Sequence, residues 1–235
     1  MKQAKWILIS AIVALTVIAA VAQELEVLSV NALGYIKKTL PPGGKMICLN
    51  LPLDSMSEAS NVFGRTSVAQ ELPNGSEVSF WNEDKQQWST GKKSNKGVWL
   101  DAQSNRVIRV GEGFFVKSPT NSVAPIELTI AGEVPSAGTS TRNVSGISRL
   151  DVVGNPYPTS FKFGDSDLAK NAANGSEVSF WNEDKQQWST GKKSNKGVWL
   201  DAQSNYVVKA TEGFFLKTSN ATAWVWTNAK PYTWP

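Results

Sequence analysis

Histidine is absent from this sequence, and cysteine occurs once, at Cys48. The chain therefore lacks the side chain that most often serves as a general base near neutral pH and as a metal ligand. A single cysteine excludes an intrachain disulfide bond and a cysteine-rich metal site. The sequence also contains no Ser/His/Asp or Cys/His combination, no phosphate-binding loop and no EF-hand calcium loop. It predicts no catalytic residue, no cofactor and no metal.

Strong charge of either sign is also missing. The chain has 24 Lys and Arg residues against 20 Asp and Glu residues, and the lysines are scattered. Nucleic-acid-binding domains carry a much denser basic patch. We therefore expect no nucleic-acid partner.

Residues 1–22 have the pattern of a secretory signal peptide. Lys2 and Lys5 precede an apolar run, and Ala20-Val21-Ala22 fits the site that signal peptidase cleaves. We expect Gln23 to be the first mature residue; a retained membrane anchor is the alternative. The prediction is an extracellular or cell-surface protein that meets the membrane only through this leader during export. Outside the cytoplasm a free Cys48 is expected to be buried as a small apolar side chain.

The most conspicuous feature that is present is an internal duplication. Residues 74–105 and residues 174–205 are the same 32 residues, 100 positions apart. Such repeats usually mark one structural unit each. Outside this block the copies have drifted, so a recent gene conversion explains the identity, or else both copies present one surface to one kind of partner. The sequence leaves both explanations open.

Short apolar–polar alternations separated by turn residues indicate an all-β fold. Residues 76–81 and 86–90 are predicted to form a hairpin, and residues 54–63 and 166–171 short helices. We predict two tandem sandwich-like or barrel-like repeat domains, each with one short helix. The predicted boundaries are 23–134 for the first domain, 135–145 for a linker and 146–235 for the second domain. The first domain has an extra strand in residues 24–40, for which no counterpart is expected in the second copy.

Several segments carry a resemblance to a known group of proteins. These are SVNALGYIKKTLPPG, GGKMICLNLPL, SFWNEDKQQW, VGEGFFVKSP and IELTIAGEVP. Together they resemble exported tandem β-repeat proteins of environmental Gram-negative bacteria, in which GEGFF is followed by a strand and GEVP. The second copy departs from this pattern, because Thr211 replaces the first glycine and no GEVP follows Thr227. The resemblance implies export and a β fold, and it implies no chemistry.

Tryptophan is the first candidate for a binding residue. Exposed indole rings bind the apolar faces of sugars, whereas buried ones fill a small core. Trp81 is expected to be the most exposed, because it is out of phase with Val78 and Phe80. The candidate platform or interface consists of Trp81, Trp88, Trp99, Trp181, Trp188 and Trp199.

Strands near the two ends of the chain are the second candidate. An unprotected edge strand pairs readily with another chain, and head-to-tail pairing produces fibres. The alternative is that residues 24–40 complete the sheet of their own domain. The candidate assembly residues are Val27, Val30, Tyr35, Ile36, Trp224 and Trp226. We therefore predict a secreted structural or interaction protein that assembles with itself into a fibre or surface layer; a carbohydrate-binding module with polysaccharide as its partner is the alternative.

Overall fold

Antiparallel strands make up most of the described chain, which comprises residues 32–54, 61–147 and 149–233 of a computed structural model. Repeat 1 contains β1 (Leu33–Leu40), β2 (Met46–Asn50), β3 (Glu77–Asn82), β4 (Gln87–Lys92), β5 (Gly113–Lys117) and β6 (Ile126–Glu133). Repeat 2 contains β7 (Thr139–Val144), β8 (Leu150–Gly154), β9 (Phe161–Lys162), β10 (Glu177–Asn182), β11 (Gln187–Lys192), β12 (Val207–Val208), β13 (Gly213–Lys217) and β14 (Trp224–Ala229). The predicted all-β class is confirmed.

Helical segments are short and occur at equivalent places in the two repeats. The α-helices are α1 (Ser67–Glu71), α2 (Asp101–Ser104), α3 (Asp167–Asn171) and α4 (Asp201–Ser204), and the 3-10 turns are Phe63–Arg65 and Phe163–Asp165. The helix predicted over 166–171 is confirmed. Ser166 caps it, since its hydroxyl accepts a hydrogen bond from the backbone N–H of Ala169. Much of the helix predicted over 54–63 lies outside the described residues. No helix among the described residues is long and apolar enough to cross a membrane.

Each repeat builds the same pair of sheets. The four-stranded sheets have the orders β2-β5-β3-β4 and β8-β13-β10-β11, and the matching two-stranded sheets are β1-β6 and β7-β14. Repeat 2 has a further two-stranded sheet, β9-β12. Val78 and Phe80 alternate with polar residues in β3 and face the core of repeat 1, as predicted for a half-buried strand. Trp99 lies in the same core, beside the edge of the Phe63 ring. Repeat 2 has an equivalent core around Val178, Phe180 and Trp199.

Strand β1 is not the surplus strand that the sequence suggested. It pairs with β6 over eight residues, and in repeat 2 strand β7 pairs with β14 in the same way. Repeat 2 therefore has a counterpart of the described part of residues 24–40, and β14 closes that sheet without a GEVP sequence. The counterpart was missed because TSTRNV is polar at most positions and shows little apolar alternation.

Contacts between the repeats place residues 31–235 in one compact unit. Strand β7 falls inside residues 135–145, which were predicted as a linker. The two domain boundaries themselves stay a prediction.

Candidate functional site

The identical hairpins β3–β4 and β10–β11 each form hydrogen bonds to the other repeat, and the two sets of bonds match. Trp81 Nε1 donates to the backbone oxygen of Leu150 at 2.6 Å, and Trp181 Nε1 donates to that of Met46 at 2.9 Å. Met46 and Leu150 begin the equivalent edge strands β2 and β8. Each hairpin thus contacts the first residue of an edge strand in the other repeat. This reciprocity is the pattern of an isologous interface between two subunits, here within one chain.

Glutamine at the hairpin turn completes the same contact. Gln86 Nε2 donates to Leu150 O at 3.1 Å, and Gln86 Oε1 accepts from Leu150 N at 2.7 Å. Gln186 makes the matching pair with Met46, at 3.0 Å and 2.8 Å. Both glutamines have a φ of 51°, a left-handed conformation that is uncommon outside glycine. The turn therefore places this amide against the neighbouring repeat.

Ion pairs flank both hairpins. Arg142 Nη2 lies 2.6 Å from Glu83 Oε1, and Lys38 Nζ lies 2.5 Å from Glu183 Oε1. Arg142 is on β7 and Lys38 on β1, the equivalent strands of the two repeats. Both cations are nearly buried, so their pairing with a carboxylate from the other repeat limits the cost of removing them from water.

An apolar cluster fills the space between the four-stranded sheets. Phe115 and Phe215, the second phenylalanines of the EGFF segments in the two repeats, lie 6.4 Å apart between their ring centroids. Cys48 is buried beside them, as expected, and burial raises the pKa of its thiol well above the usual value. A thiol with a raised pKa carries little thiolate and is a poor nucleophile.

A groove of about 440 Å³ opens beside this cluster, on the face of the repeat 1 sheet that points away from the repeat 1 core. We call it the aromatic groove. It is lined by Met46, Glu77, Ser79, Trp88, Thr90, Phe115, Lys117, Trp181, Trp188 and Phe215. Its volume lies within the usual range for small-molecule sites, about 300–1,000 Å³.

Both repeats supply aromatic rings to the groove. The Trp88 ring lies 5.5 Å from Phe115 and 5.7 Å from Phe215, both edge-on. Trp188 lies 5.6 Å from Phe115 and 4.5 Å from Phe215. Trp88 keeps 38% of its surface exposed. Its indole ring therefore faces solvent while the neighbouring rings hold it in place. The groove is thus a preformed aromatic surface.

The other side of the groove is polar. Lys117 Nζ lies 3.2 Å from Glu77 Oε2, and the hydroxyls of Ser79 and Thr90 are 2.8 Å apart. These groups pair with one another at the surface and remain accessible donors and acceptors. A ligand in the groove therefore meets apolar rings on one side and hydroxyl, ammonium and carboxylate groups on the other.

A second cavity of about 290 Å³ lies at the outer end of the repeat 1 hairpin. Its lining is Phe80, Trp81, Asn82, Glu83, Asp84, Ser89, Ala102, Arg106 and Arg109. Arg106 lies over Phe80 and pairs with the buried Glu112. Burial raises the pKa of Glu112, and the Arg106 guanidinium opposes that rise. In repeat 2, Tyr206 stacks on Phe180 at 3.9 Å instead.

The six predicted tryptophans have three different environments. Trp99 and Trp199 are core residues, and each Nε1 donates to a helix carbonyl. Trp81 and Trp181 are half-buried in the contact between the repeats. Trp81 is therefore not the exposed ring that its strand phase suggested: its face of the sheet is covered by repeat 2. Trp88 and Trp188 line the groove.

The predicted assembly residues are scattered. Tyr35 is exposed on β1, and Ile36 packs against the repeat 1 core. Trp226 is buried in the repeat 2 core, with Trp224 half-buried against it. Val27 and Val30 lie outside the described residues.

Sequence reasoning missed Gln86, Phe115 and their equivalents as contact residues. Two features of the sequence could have identified them: Gln86 lies in the block that is identical in both copies, and Phe115 lies in the EGFF segment that both copies share. Within the described residues, no group of three or more His, Cys, Asp or Glu side chains is arranged to hold a metal ion. Comparison of the chain with protein-family models, with curated proteins and with solved structures gave no match.

Proposed function

We propose that this chain is a non-catalytic, secreted interaction protein and that the aromatic groove binds carbohydrate. The observation that carries the proposal is Trp88, a partly exposed indole held edge-on against Phe115 and Phe215. Sugar rings present apolar C–H faces to such indoles and hydroxyl groups at their edges. Ser79, Thr90 and the Glu77–Lys117 pair supply hydrogen-bonding partners on the other side of the groove.

Retention on insoluble polysaccharides tests this function. Neutral and acidic polymers are compared, and Trp88→Ala is expected to reduce retention at least about tenfold, the loss from removing one well-packed aromatic anchor. Trp88→Phe keeps a ring in the groove and should retain most of the binding. Thermal unfolding shows whether each variant remains folded.

The matched control is Trp224→Ala, a half-buried tryptophan far along the chain and outside the groove lining. It should leave retention unchanged. Equal retention of the wild type and Trp88→Ala would contradict carbohydrate binding in this groove, and so would the absence of binding to every polymer.

Self-assembly through a strand edge is a second candidate, and β1 favours it. Among the described residues β1 pairs as a strand only with β6, and its outward face exposes Leu33 and Tyr35. The side chain of Lys38 on β1 also bonds to Glu183 of repeat 2. A free edge of eight residues suits addition of a strand from another chain. Strands β1 and β14 each pair with a strand of their own chain. Donating either strand to another chain would break this pairing, so we favour the addition of a further strand beside β1.

Light scattering at increasing protein concentration tests assembly. Thr39→Pro removes an N–H from β1 at a position whose side chain is exposed. The variant is expected to associate less than the wild type does at the same concentration. Val123→Pro, in an exposed loop, is the control. A wild type that remains monomeric at high concentration would exclude this candidate.

A further inference from the structure

Part of the duplicated block takes no part in the contact between the repeats. Residues 92–100 and 192–200 form equivalent loops, each of which begins with the last residue of β4 or β11. Neither loop supplies a residue to the inter-repeat apolar cluster or to the aromatic groove. Contact between the repeats therefore does not account for the identity of these two loops.

Two buried side chains fix the 92–100 loop to helix α1. Lys93 Nζ donates to the backbone oxygens of Ala69, Gln70 and Leu72 at 2.9, 3.0 and 2.7 Å. Trp99 Nε1 donates to Ala69 O at 3.0 Å. The 192–200 loop repeats these bonds through Lys193 and Trp199.

A tight turn holds the tip of the loop. Ser94 N donates to Val98 O at 2.9 Å, and Gly97 N donates to Ser94 O at 3.0 Å. Gly97 has a φ of 77°, which glycine adopts without strain. The tip is thus ordered before any partner arrives, which lowers the entropic cost of binding.

The residues on either side of Trp99 point outward because Trp99 points inward. Val98 is 61% exposed and Leu100 is 62% exposed, and Val198 and Leu200 are exposed to the same degree. Lys96 is exposed in the same loop. Lys92, the last residue of β4, lies opposite Glu77, and its equivalent Lys192 pairs with Glu177 at 3.7 Å. No acidic residue occurs between Gly91 and Leu100. The surface therefore combines two aliphatic side chains with the positive charge of Lys96.

We propose that these two loops dock the protein on an anionic lipid surface. Aliphatic side chains enter the boundary between headgroups and acyl chains, while lysines remain beside the negative headgroups. The charge of Lys96 favours this partner over a neutral surface, and the same loop occurs in both repeats. From the sequence we expected membrane contact through the leader alone. The loops were missed because the sequence does not reveal that Val98 and Leu100 are exposed.

Co-sedimentation of the full chain with lipid vesicles tests the proposal. Vesicles of phosphatidylcholine alone are compared with vesicles containing phosphatidylglycerol as well. The combined Lys96→Gln and Lys196→Gln variant is expected to bind the anionic vesicles at least about fivefold more weakly, which is the loss for one lysine at an anionic surface. Its remaining binding should also depend less on salt. The comparison is repeated with the chain beginning at Gln23, so that the apolar leader does not contribute.

The aliphatic contribution has its own variant and control. Replacing Val98, Leu100, Val198 and Leu200 by serine is expected to reduce binding at least about tenfold, since burial of each aliphatic side chain is favourable. Val123→Ser removes a more exposed valine elsewhere, and Lys85→Gln with Lys185→Gln removes two lysines at the hairpin turns. Both controls should bind like the wild type.

Three results would overturn the proposal. One is equal partition of the wild type onto both kinds of vesicle. Another is an equal loss of binding in the loop variants and the hairpin-turn control. The third is a loop variant that binds vesicles normally but loses retention on polysaccharide or self-association, which would assign the loops to a polymer or protein partner. Polysaccharide retention tests the groove separately, so the two proposals fail independently.

Discussion

Lys93 and Lys193 are buried cations that bond to backbone oxygens rather than to carboxylates. Each ammonium group uses all three of its donors on the last turn of a short helix. Desolvation by burial lowers the pKa of both side chains. Cations are favourable at the C-terminal end of a helix, where free carbonyl groups point outward. These lysines hold helix and loop together.

Lys93→Met should therefore destabilise the protein by about 2–3 kcal/mol, because three carbonyl oxygens lose a charged donor. The free energy of unfolding in urea measures the change. The adjacent Lys92→Met is the control, since Lys92 is exposed, and it should change stability by less than about 0.5 kcal/mol. Similar values for the two variants would show that the buried hydrogen bonds contribute nothing.

Asp151 is a fully buried carboxyl group with no acidic counterpart in repeat 1. It accepts hydrogen bonds from the backbone N–H and the hydroxyl of Ser145, both at 2.8 Å. Burial raises its pKa above the usual value, and the two bonds from Ser145 oppose that rise. The folded state therefore binds this proton more tightly than the unfolded state does.

A raised pKa in the folded state means that this stabilising contribution is complete below the unfolded pKa and is lost as pH rises. Relative to Asp151→Asn, the wild type should become less stable from about pH 4 upward, since the unfolded carboxyl titrates near there. Urea unfolding of both proteins at several pH values measures this difference. If the wild type instead became more stable than Asp151→Asn as pH rises, the Ser145 hydrogen bonds would outweigh burial in setting the pKa of Asp151.

Among the elements, the hairpins could be predicted from sequence and the two-stranded sheets could not. Strands β3 and β4 lie within one residue or two of the expected positions, because apolar alternation and an Asn/Asp-rich turn mark them. In β7 only Arg142 and Val144 are buried, so the strand has almost no apolar signal. Its position depends on pairing with β14, whose paired residues lie 80 to 90 positions later and are not revealed by any local pattern.

Strand β14 offers a test of that pairing. Trp226 is 2% exposed and lies in the repeat 2 core, whereas Val225 on the same strand faces outward. Trp226→Ala should cost about 3–5 kcal/mol through lost burial and a cavity. Val225→Ala, the matched control, should cost less than about 1 kcal/mol. Calorimetry compares the two, and equal small effects would mean that β14 does not cover the core.

For the whole molecule, no residue pattern in either copy predicts how the two repeats meet. The groove, the apolar cluster and the ion pairs all contain residues from both copies. Trp81 shows the difficulty: its strand phase indicated correctly which face it is on, but that face is covered by the other repeat. Local sequence predicts where a residue lies within its own repeat, but not what the other repeat places beside it. The tryptophans of the candidate site could therefore be predicted, whereas the groove that they form could not.

Gly154 allows the two repeats to approach closely, because it has no side chain. A Cβ atom at this position would lie 2.4 Å from the Cβ atom of Asn50, which occupies the equivalent place in repeat 1. Gly154→Ala should therefore destabilise the protein by about 1–3 kcal/mol through overpacking. Gly138→Ala, which meets no atom within 4 Å, should have little effect.

The same variant tests whether the repeats unfold together. Calorimetry of the wild type should show a single transition, and Gly154→Ala should move it as a whole to lower temperature. Adding Asn50→Gly to Gly154→Ala should recover part of the loss, because the space taken by Asn50 becomes free. Two separate transitions in the wild type would contradict a shared unit.

The hydrogen bonds from Trp81 and Gln86 end on main-chain atoms of Leu150, and those from Trp181 and Gln186 end on main-chain atoms of Met46. A peptide group offers the same oxygen and N–H whatever side chain it carries. The receiving position can therefore change its side chain without losing these bonds, as methionine and leucine show, whereas loss of the indole or the amide removes them. This asymmetry is compatible with an identical block beside neighbours that have diverged.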